Sequence, residues 1–405
     1  MNDEKRNWLD HTPISTLPWL TVEVLIFGLI MLAAVASRFY NLGARAMSHD
    51  ESLHTYFSYL LYKGQGYQHN PMMHGPLQFH LIALSYFMFG ASDFVARIPA
   101  ATFSVLAIAA IWIWRRYLGR AGALAAAVMA LISPFLLYYG RYTREDSYVA
   151  VSLFVLLYSV LRYFETGKAK YIYLIAGSLV IHYLTKETSF IYTAQLLIYL
   201  AVYFLVRVLQ KPWIGGQKNY RGFLTTLLLG MMLLGATGYL AISAKKAGDL
   251  SGEQTAAPAI PSATTALLPH DTASLTPMIM LGGLAVLALA AAIFFLIRGF
   301  SLENIRKERS FDLLMVFGTI VLPQLSAFPV YILGWDPLDY SSAGLIRTGA
   351  FMGPIVLITI AIGMWWNRDI WWKMALIFWA PFILLYTTVF TNGAGFFTGS
   401  VGSLG

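Results

Sequence analysis

Two adjacent carboxylates, Asp50 and Glu51, stand in Met47-Ser48-His49-Asp50-Glu51-Ser52, just beyond the first long apolar run. A carboxylate near an apolar boundary has a raised pKa and can accept a proton from a hydroxyl. The same residues also suit an N-cap for a helix starting near Ser52, where Asp is preferred. A second cluster holds Arg141, Arg144, Glu145 and Asp146. Arginines at a membrane surface can grip a phosphate through bidentate, charge-assisted hydrogen bonds. Asp146 would pair with an arginine or hold a second substrate. The plainer alternative is a salt-bridged cap on a helix beginning near Ser147. A third pair, Lys186-Glu187, interrupts two apolar runs with almost no loop between them. Ionisable groups at such depth are costly and are candidates for function, although an ion pair snorkelling to the interface fits equally. Arg347, beside Ser341-Ser342-Ala343-Gly344, is a further phosphate contact or a boundary residue.

His49, His54, His69, His74 and His80 raise the question of a metal. Zinc needs three or four converging ligands, and only His49-Asp50-His54 fits a helical spacing, loosely. Hydrogen bonding to sugar or phosphate, or surface placement, suits these histidines better. We assign no metal and no cofactor. The chain has no cysteine, which excludes disulfides, thiolate catalysis and cysteine metal sites.

The elements that must position these groups are membrane spans. Hydrophobic residues make up 58% of the 405, charged residues only 12%, and mean hydropathy is +0.62. A soluble domain carries about 25% charged residues. Apolar runs of about 20 residues, the length that crosses a hydrocarbon core, recur along the chain. The reading is an all-α polytopic bundle with spans near 18–37, 97–114, 121–138, 147–164, 171–185, 188–207, 222–243, 278–297, 312–333, 348–366 and 370–389. The first is a retained anchor, because no small-residue cleavage site follows it. Glu23, inside that span, is expected to snorkel. The tryptophan pairs 365–366 and 371–372 read as interfacial belts. The net charge of +8 points to membrane orientation rather than to nucleic acid.

Length alone would allow a further span at 76–90, and charge decides against it. With the N-terminus inside and 76–90 lying in the interface, 18 of the 28 Lys and Arg fall in cytoplasmic connections. The first outer loop then runs from 38 to 96. All the candidate groups share the outer face, where acidic and basic residues mix, whereas the inner loops are plainly basic. Residues 1–243 form the expected chemistry-bearing module and 278–405 the C-terminal spans. The intervening 244–277, with its Ala, Ser, Thr and Pro, reads as a flexible outer loop.

His-Asp-Glu-Ser after a first span resembles the Asp-Glu signature of GT-C glycosyltransferases of the protein-mannosyltransferase and aminoarabinose-transferase superfamily. His74-Gly75-Pro76-Leu77 with Phe89-Gly90 and Arg97-Ile98-Pro99 is similar to a second family segment. Ser133-Pro134-Phe135 through Tyr139-Gly140-Arg141 to Arg144-Glu145-Asp146 is similar to a third. Thr185-Lys186 resembles a Thr-Lys-Gly step, with Glu187 in place of Gly. The likeness covers about 18–210. It is nearest the prokaryotic subfamily labelled as associated with flippase activity in N-glycosylation. Chains of that subfamily normally continue past Gly402-Ser403-Leu404-Gly405, so the expectation is a truncated chain.

The resemblance implies an inverting transfer from a polyprenyl-phosphate sugar donor to a protein, lipid or glycan acceptor, on the outer face of the plasma membrane. It implies Asp50 as base with Glu51 in support. Arg144 and Lys186 would hold the donor phosphate, with Arg141 or Arg347 as further contacts, and Asp146 would orient the acceptor or the arginine pair. His49 and His74 are further substrate contacts. A lipid-linked glycan flippase and a non-catalytic component of a glycosylation complex are the alternatives. Charges clustered at one face, rather than strung across the bilayer, speak against the flippase.

Overall fold

The computed structural model describes residues 8–253 and 272–402. Among them every regular element is helical. In chain order these are α1 (Val22–Phe39), α2 (His49–Tyr62), α3 (Leu77–Phe89), α4 (Asp93–Ala110), α5 (Arg115–Ile132), α6 (Pro134–Tyr139), α7 (Asp146–Thr166), α8 (Ala169–Tyr183), α9 (Thr188–Leu209), α10 (Gly216–Glu253), α11 (Thr272–Phe300), α12 (Leu302–Arg306), α13 (Arg309–Val321), α14 (Ala327–Ile332), α15 (Ser342–Tyr386) and α16 (Gly395–Ser400). Short 3-10 turns link several of them.

Among the described residues, eight helical stretches are long and apolar enough to cross a membrane. Two of these, Asp93–Ile132 and Ser342–Tyr386, have 40 and 45 residues. Each exceeds the ~20 residues of a single crossing about twofold. Each is also broken by a non-helical residue, Gly119 at φ 73° in one and Asn367 at φ −160° in the other. Two paired spans, together with the 15-residue α8, account for the difference from the eleven apolar runs in the sequence. Helix α3 has 13 residues. At 1.5 Å per residue it reaches only about 20 Å, short of the ~30 Å core.

Local chemistry sets the boundaries. Thr21 caps α1, its hydroxyl accepting the Val24 N–H. Ser92 does the same for α4 through Val95. Ser133-Pro134 ends α5 and opens α6, Pro sitting where its missing N–H costs nothing. Gly167, left-handed at φ 64°, closes α7. Residues 244–253 and 272–277, expected as flexible loop, lie in α10 and α11. The remainder, 254–271, falls outside the described residues.

The chain forms two compact units, Met1–Tyr199 with Asp312–Gly405, and Leu200–Phe311. The expected boundaries at 243 and 278 thus fall inside the second unit. In that unit α10 packs along α11, with Val208, Phe223, Ala292, Leu296 and Phe300 buried together. The first unit holds every candidate site residue. There α1 packs on α4 and α5, α4 on α7, α7 on α8, and α8 on α15, while α2 and α3 pack against each other. Ile30, Ala34, Ile108, Leu124 and Ala127 form one of its cores. Glu23 does not snorkel. It is 3% exposed and ion-paired with Arg120 at 2.6 Å and Arg115 at 3.5 Å. A buried carboxylate needs such partners.

Two connections meet without side chains. The Gly75 N–H donates to the Thr185 carbonyl at 3.0 Å and the Leu77 N–H to Leu184 at 2.9 Å. A Cβ on Gly75 would lie 2.2 Å from the Leu184 carbonyl oxygen. Gly75→Ala must therefore push the two backbones apart. We expect it to cost about 1–3 kcal/mol, read as a lower melting temperature of the purified protein in detergent. An unchanged melting temperature would mean that the segments are not held in register there.

Candidate active site

The site grows from the N-terminus of α2. Ser48 is its cap, and Glu51 reaches back to the Ser48 N–H at 3.2 Å, a capping box written in the sequence as Ser-His-Asp-Glu. The helix thus starts at His49 rather than near Ser52, and the capping role falls on Ser48 and Glu51. Asp50 is left outside the cap, partly exposed.

Glu51 is buried and saturated. Its carboxylate accepts from Arg97 Nε at 2.9 Å and Nη2 at 3.0 Å, Arg45 Nη2 at 2.8 Å, the Thr143 N–H at 3.0 Å and the Ser48 N–H. Burial by itself would raise the Glu51 pKa. The Arg97 fork and the Thr143 and Ser48 amides outweigh it and hold the carboxyl below the usual value of 4.5. Arg97, itself 1% exposed, also donates to the Leu42 and Arg45 carbonyls at 2.9 Å each. One guanidinium on α4 thereby fixes both the loop after α1 and the start of α2.

Segment 143–146 lies against the first turn of α2 in three rungs. The Thr143 N–H meets Glu51, and Arg144 Nη1 meets Asp50 Oδ2 at 2.9 Å. His54 Nε2 lies 3.0 Å from Glu145 Oε1. The positions 50, 51 and 54 share one helix face, which is why all three can reach the same segment. The Gln78 side chain from α3 donates to the Thr143 carbonyl at 3.0 Å. Ser48 and Tyr142 also join hydroxyl to hydroxyl.

A second pair adjoins through the chain itself. Asp146, the first residue of α7, takes Lys186 Nζ at 3.2 Å. Beside it His74 Nδ1 meets Glu187 Oε2 at 2.7 Å. The Glu187 hydrogen bond raises the His74 pKa above 6.5 against the opposing effect of burial. Glu187, the residue that departs from the Thr-Lys-Gly step, thus has a partner.

The expected site residues divide three ways. Asp50, Glu51, Arg144, Asp146, His74 and Lys186 join this network. Arg141 turns away from it, its Nη1 and Nη2 donating to the Ser37 and Tyr40 carbonyls at 2.8 Å each, where they finish the C-terminus of α1. Arg347 is exposed on α15 with its guanidinium 5.4 Å from the Trp335 ring centre. His49 is exposed at the head of α2. Glu145, His54 and Glu187 stand in groups picked out by residue type, and Arg97 in a segment of the resemblance, but none of the four had been given a role in the site. Only the Ser48–Glu51 capping box had a sequence signal of its own. Among the described residues, no group of three or more His, Asp or Glu converges on a metal position.

One cavity reaches the network at Asp146, and a second adjoins the first. The first, of about 230 Å³, is lined by Arg38, Ser104, Tyr139, Gly140, Asp146 and Ser147 among others. The other, about 810 Å³, is almost wholly apolar and runs from Trp114 and Leu118 to Ser133 and Leu136. They share Ala130, Leu136 and Phe154.

Replacing Glu51 by Gln strands the buried Arg97 charge. The expected loss is about 3–5 kcal/mol, against little change for Asp50→Asn, whose pair is solvent-accessible; detergent melting curves of the two variants check the ranking. The His74–Glu187 pair adds a pH dependence of known sign. Because folding raises the His74 pKa, the contribution is full below the unfolded value of about 6.5 and fades as pH rises through the raised value. The gap in melting temperature between wild type and Glu187→Gln should therefore narrow from pH of about 6 to about 9. A gap that widens would reverse the assignment.

Residues 73–234 match the family described as dolichyl-phosphate-mannose-protein mannosyltransferase. The matched stretch takes in His74, Arg97, Arg144, Asp146 and Lys186 and begins after Asp50. No curated protein and no solved structure matches the chain. The matched stretch is similar to a glycosyltransferase family, and the eight apolar helical stretches are those of a multi-pass membrane protein.

Proposed function

We propose that the chain transfers a sugar, with inversion, from a polyprenyl-phosphate donor to an acceptor hydroxyl at the extracytoplasmic face. The observation that carries this reading is the contrast between the buried and the exposed ion pairs. Glu51–Arg97 is sealed from solvent, at 0% and 1% side-chain exposure. Asp50–Arg144 and Asp146–Lys186 stand open, with side-chain exposures of 46%, 30%, 32% and 22% in that order. Exposed pairs are worth only about 0–1 kcal/mol, so an anion can displace their carboxylates cheaply. Arg144 and Lys186 are the cations a phosphate would recruit, and recruiting Arg144 sets Asp50 free.

In the proposed step, Asp50 takes the proton of the acceptor hydroxyl as its oxygen bonds to the anomeric carbon. The bond from that carbon to the phosphate oxygen breaks on the opposite face, and polyprenyl phosphate leaves. Arg144 and Lys186 neutralise the charge that develops on the leaving group. Glu51 takes no proton in this scheme. Its five hydrogen bonds and lowered pKa suit it to hold Asp50 in place. Asp146 would orient the acceptor or release Lys186, and His74 would steady Lys186 through Glu187. The apolar cavity suits a prenyl chain, since its shared wall with the smaller cavity leads to Asp146.

That cavity would equally serve a protein that moves lipid-linked glycans without transferring them. Sealed right-side-out vesicles separate the readings. With a labelled polyprenyl-phosphate hexose in the membrane, wild type should transfer label to an acceptor supplied outside. Asp50→Asn should lower the rate roughly 10²–10⁴-fold, the usual contribution of a general base. Normal transfer by Asp50→Asn removes Asp50 as base. Lipid movement that survives the substitution without transfer favours the flippase. Label appearing only on an internal acceptor reverses the orientation.

A further inference from the structure

Glu145 is absent from the mechanism above, yet it is among the most constrained acids in the protein. Its side chain is 0% exposed. Oε1 lies 3.0 Å from His54 Nε2 and Oε2 lies 3.9 Å from Arg144 Nε. None of these four atoms has a hydrogen bond of proper geometry. Buried polar groups are nearly always hydrogen-bonded, and a buried carboxylate left without a bond is costly. Oε1 is ion-paired with His54, whereas Oε2 and Arg144 Nε are both unbonded and face each other across a gap about 1 Å too long for a hydrogen bond.

The guanidinium explains the gap. Its N–H groups form a rigid planar fork, so a pull on one end moves the other. Asp50 holds Nη1 at 2.9 Å from the exposed side. Nε, at the inner side, is thereby kept off Glu145.

We propose that Glu145 is the inner anchor of Arg144, a positioning residue that receives the Nε–H when the Nη groups turn from Asp50 to an anionic phosphate. Arg144 then has two positions. In one it neutralises Asp50 and leaves Glu145 Oε2 without a partner. In the other it binds phosphate on Nη1 and Nη2, bonds Glu145 through Nε, and leaves Asp50 free to accept a proton. Arrival of the phosphate and release of Asp50 become one movement of one side chain. His54 holds the opposite Glu145 oxygen, and its own Nδ1 lies 2.8 Å from the Asp50 carbonyl, so the anchor is tied to the helix that carries Asp50. The inference rests on the phosphate-binding role of Arg144 and deepens it.

The test uses the full chain in detergent, with farnesyl phosphate as probe and farnesol as its uncharged control. Glu145→Gln should weaken farnesyl phosphate binding at least tenfold and leave farnesol binding unchanged. Its melting temperature should stay close to that of wild type, because the Gln amide fills the same space and can still hydrogen-bond His54. In an Arg144→Lys background, where no Nε–H exists, the same substitution should cost less than twofold. Glu145→Asp, which keeps the charge but retracts it, should also bind weakly and fold. Wild-type binding by Glu145→Gln overturns the proposal. So does an equal loss in both backgrounds, or a large fall in melting temperature for both Glu145 variants, since either reports a merely structural acid. So would wild type failing to prefer farnesyl phosphate over farnesol. Glu145-dependent phosphate binding in a wild type that transfers no sugar would refute the transfer reaction and leave this inference standing.

Discussion

The first unit's polar end depends on the fork between Arg97 and Glu51. Two charges out of water are expensive, and this pair is tolerated because every lone pair and most N–H groups are used. Arg97 gathers the carbonyls of 42 and 45 while gripping the carboxylate. Glu51 in turn gathers the amides of Ser48 and Thr143. Four pieces of chain are thereby fixed around one ion pair: the loop after α1, the start of α2 that follows it, α4 and the segment before α7. Asp50, next to Glu51 on the same turn, inherits a fixed place without being buried.

Neighbouring acids of one type therefore do opposite work. Glu51 sits in a closed pocket whose donors hold it ionised, so it has no lone pair to offer. Asp50 has one side-chain partner, Arg144, and both stand open to solvent. The sequence 144–146 repeats the pattern, with Glu145 sealed beneath His54 while Arg144 and Asp146 remain accessible.

The opposite use of charge appears at Glu23. There a carboxylate in the first turn of α1 draws Arg115 and Arg120 from α5 onto it. The arginine-rich connections are thus partly consumed in packing. Arg141 has a similar fate, its guanidinium spent on the open carbonyls at the end of α1. Arg38 does likewise for α5 through the carbonyls of Ala130 and Leu131. Helix C-termini leave carbonyls without partners, and in an apolar bundle a neighbouring arginine is the ready donor.

Composition and hydropathy alone determined that this chain is a helical membrane bundle, because apolar runs of spanning length have no other stable form in lipid. They also determined where most helices lie, and Gly119 and Asn367 only divided long helices at breaks the apolar pattern had already marked. The Asp50, Arg144, Asp146 and Lys186 cluster was legible as well, since charge is rare enough in such a chain to stand out. What spacing could not decide was the partner of each charge. Arg141 and Arg144 are alike in sequence, three residues apart in one basic-acidic stretch, and one caps a helix while the other faces Asp50. Glu51 and Asp50 are adjacent, and only the arrival of Arg97 from 46 residues away assigns them different roles. Partner choice depends on distances across helices that are remote in the chain, and those distances exist only once the bundle has packed.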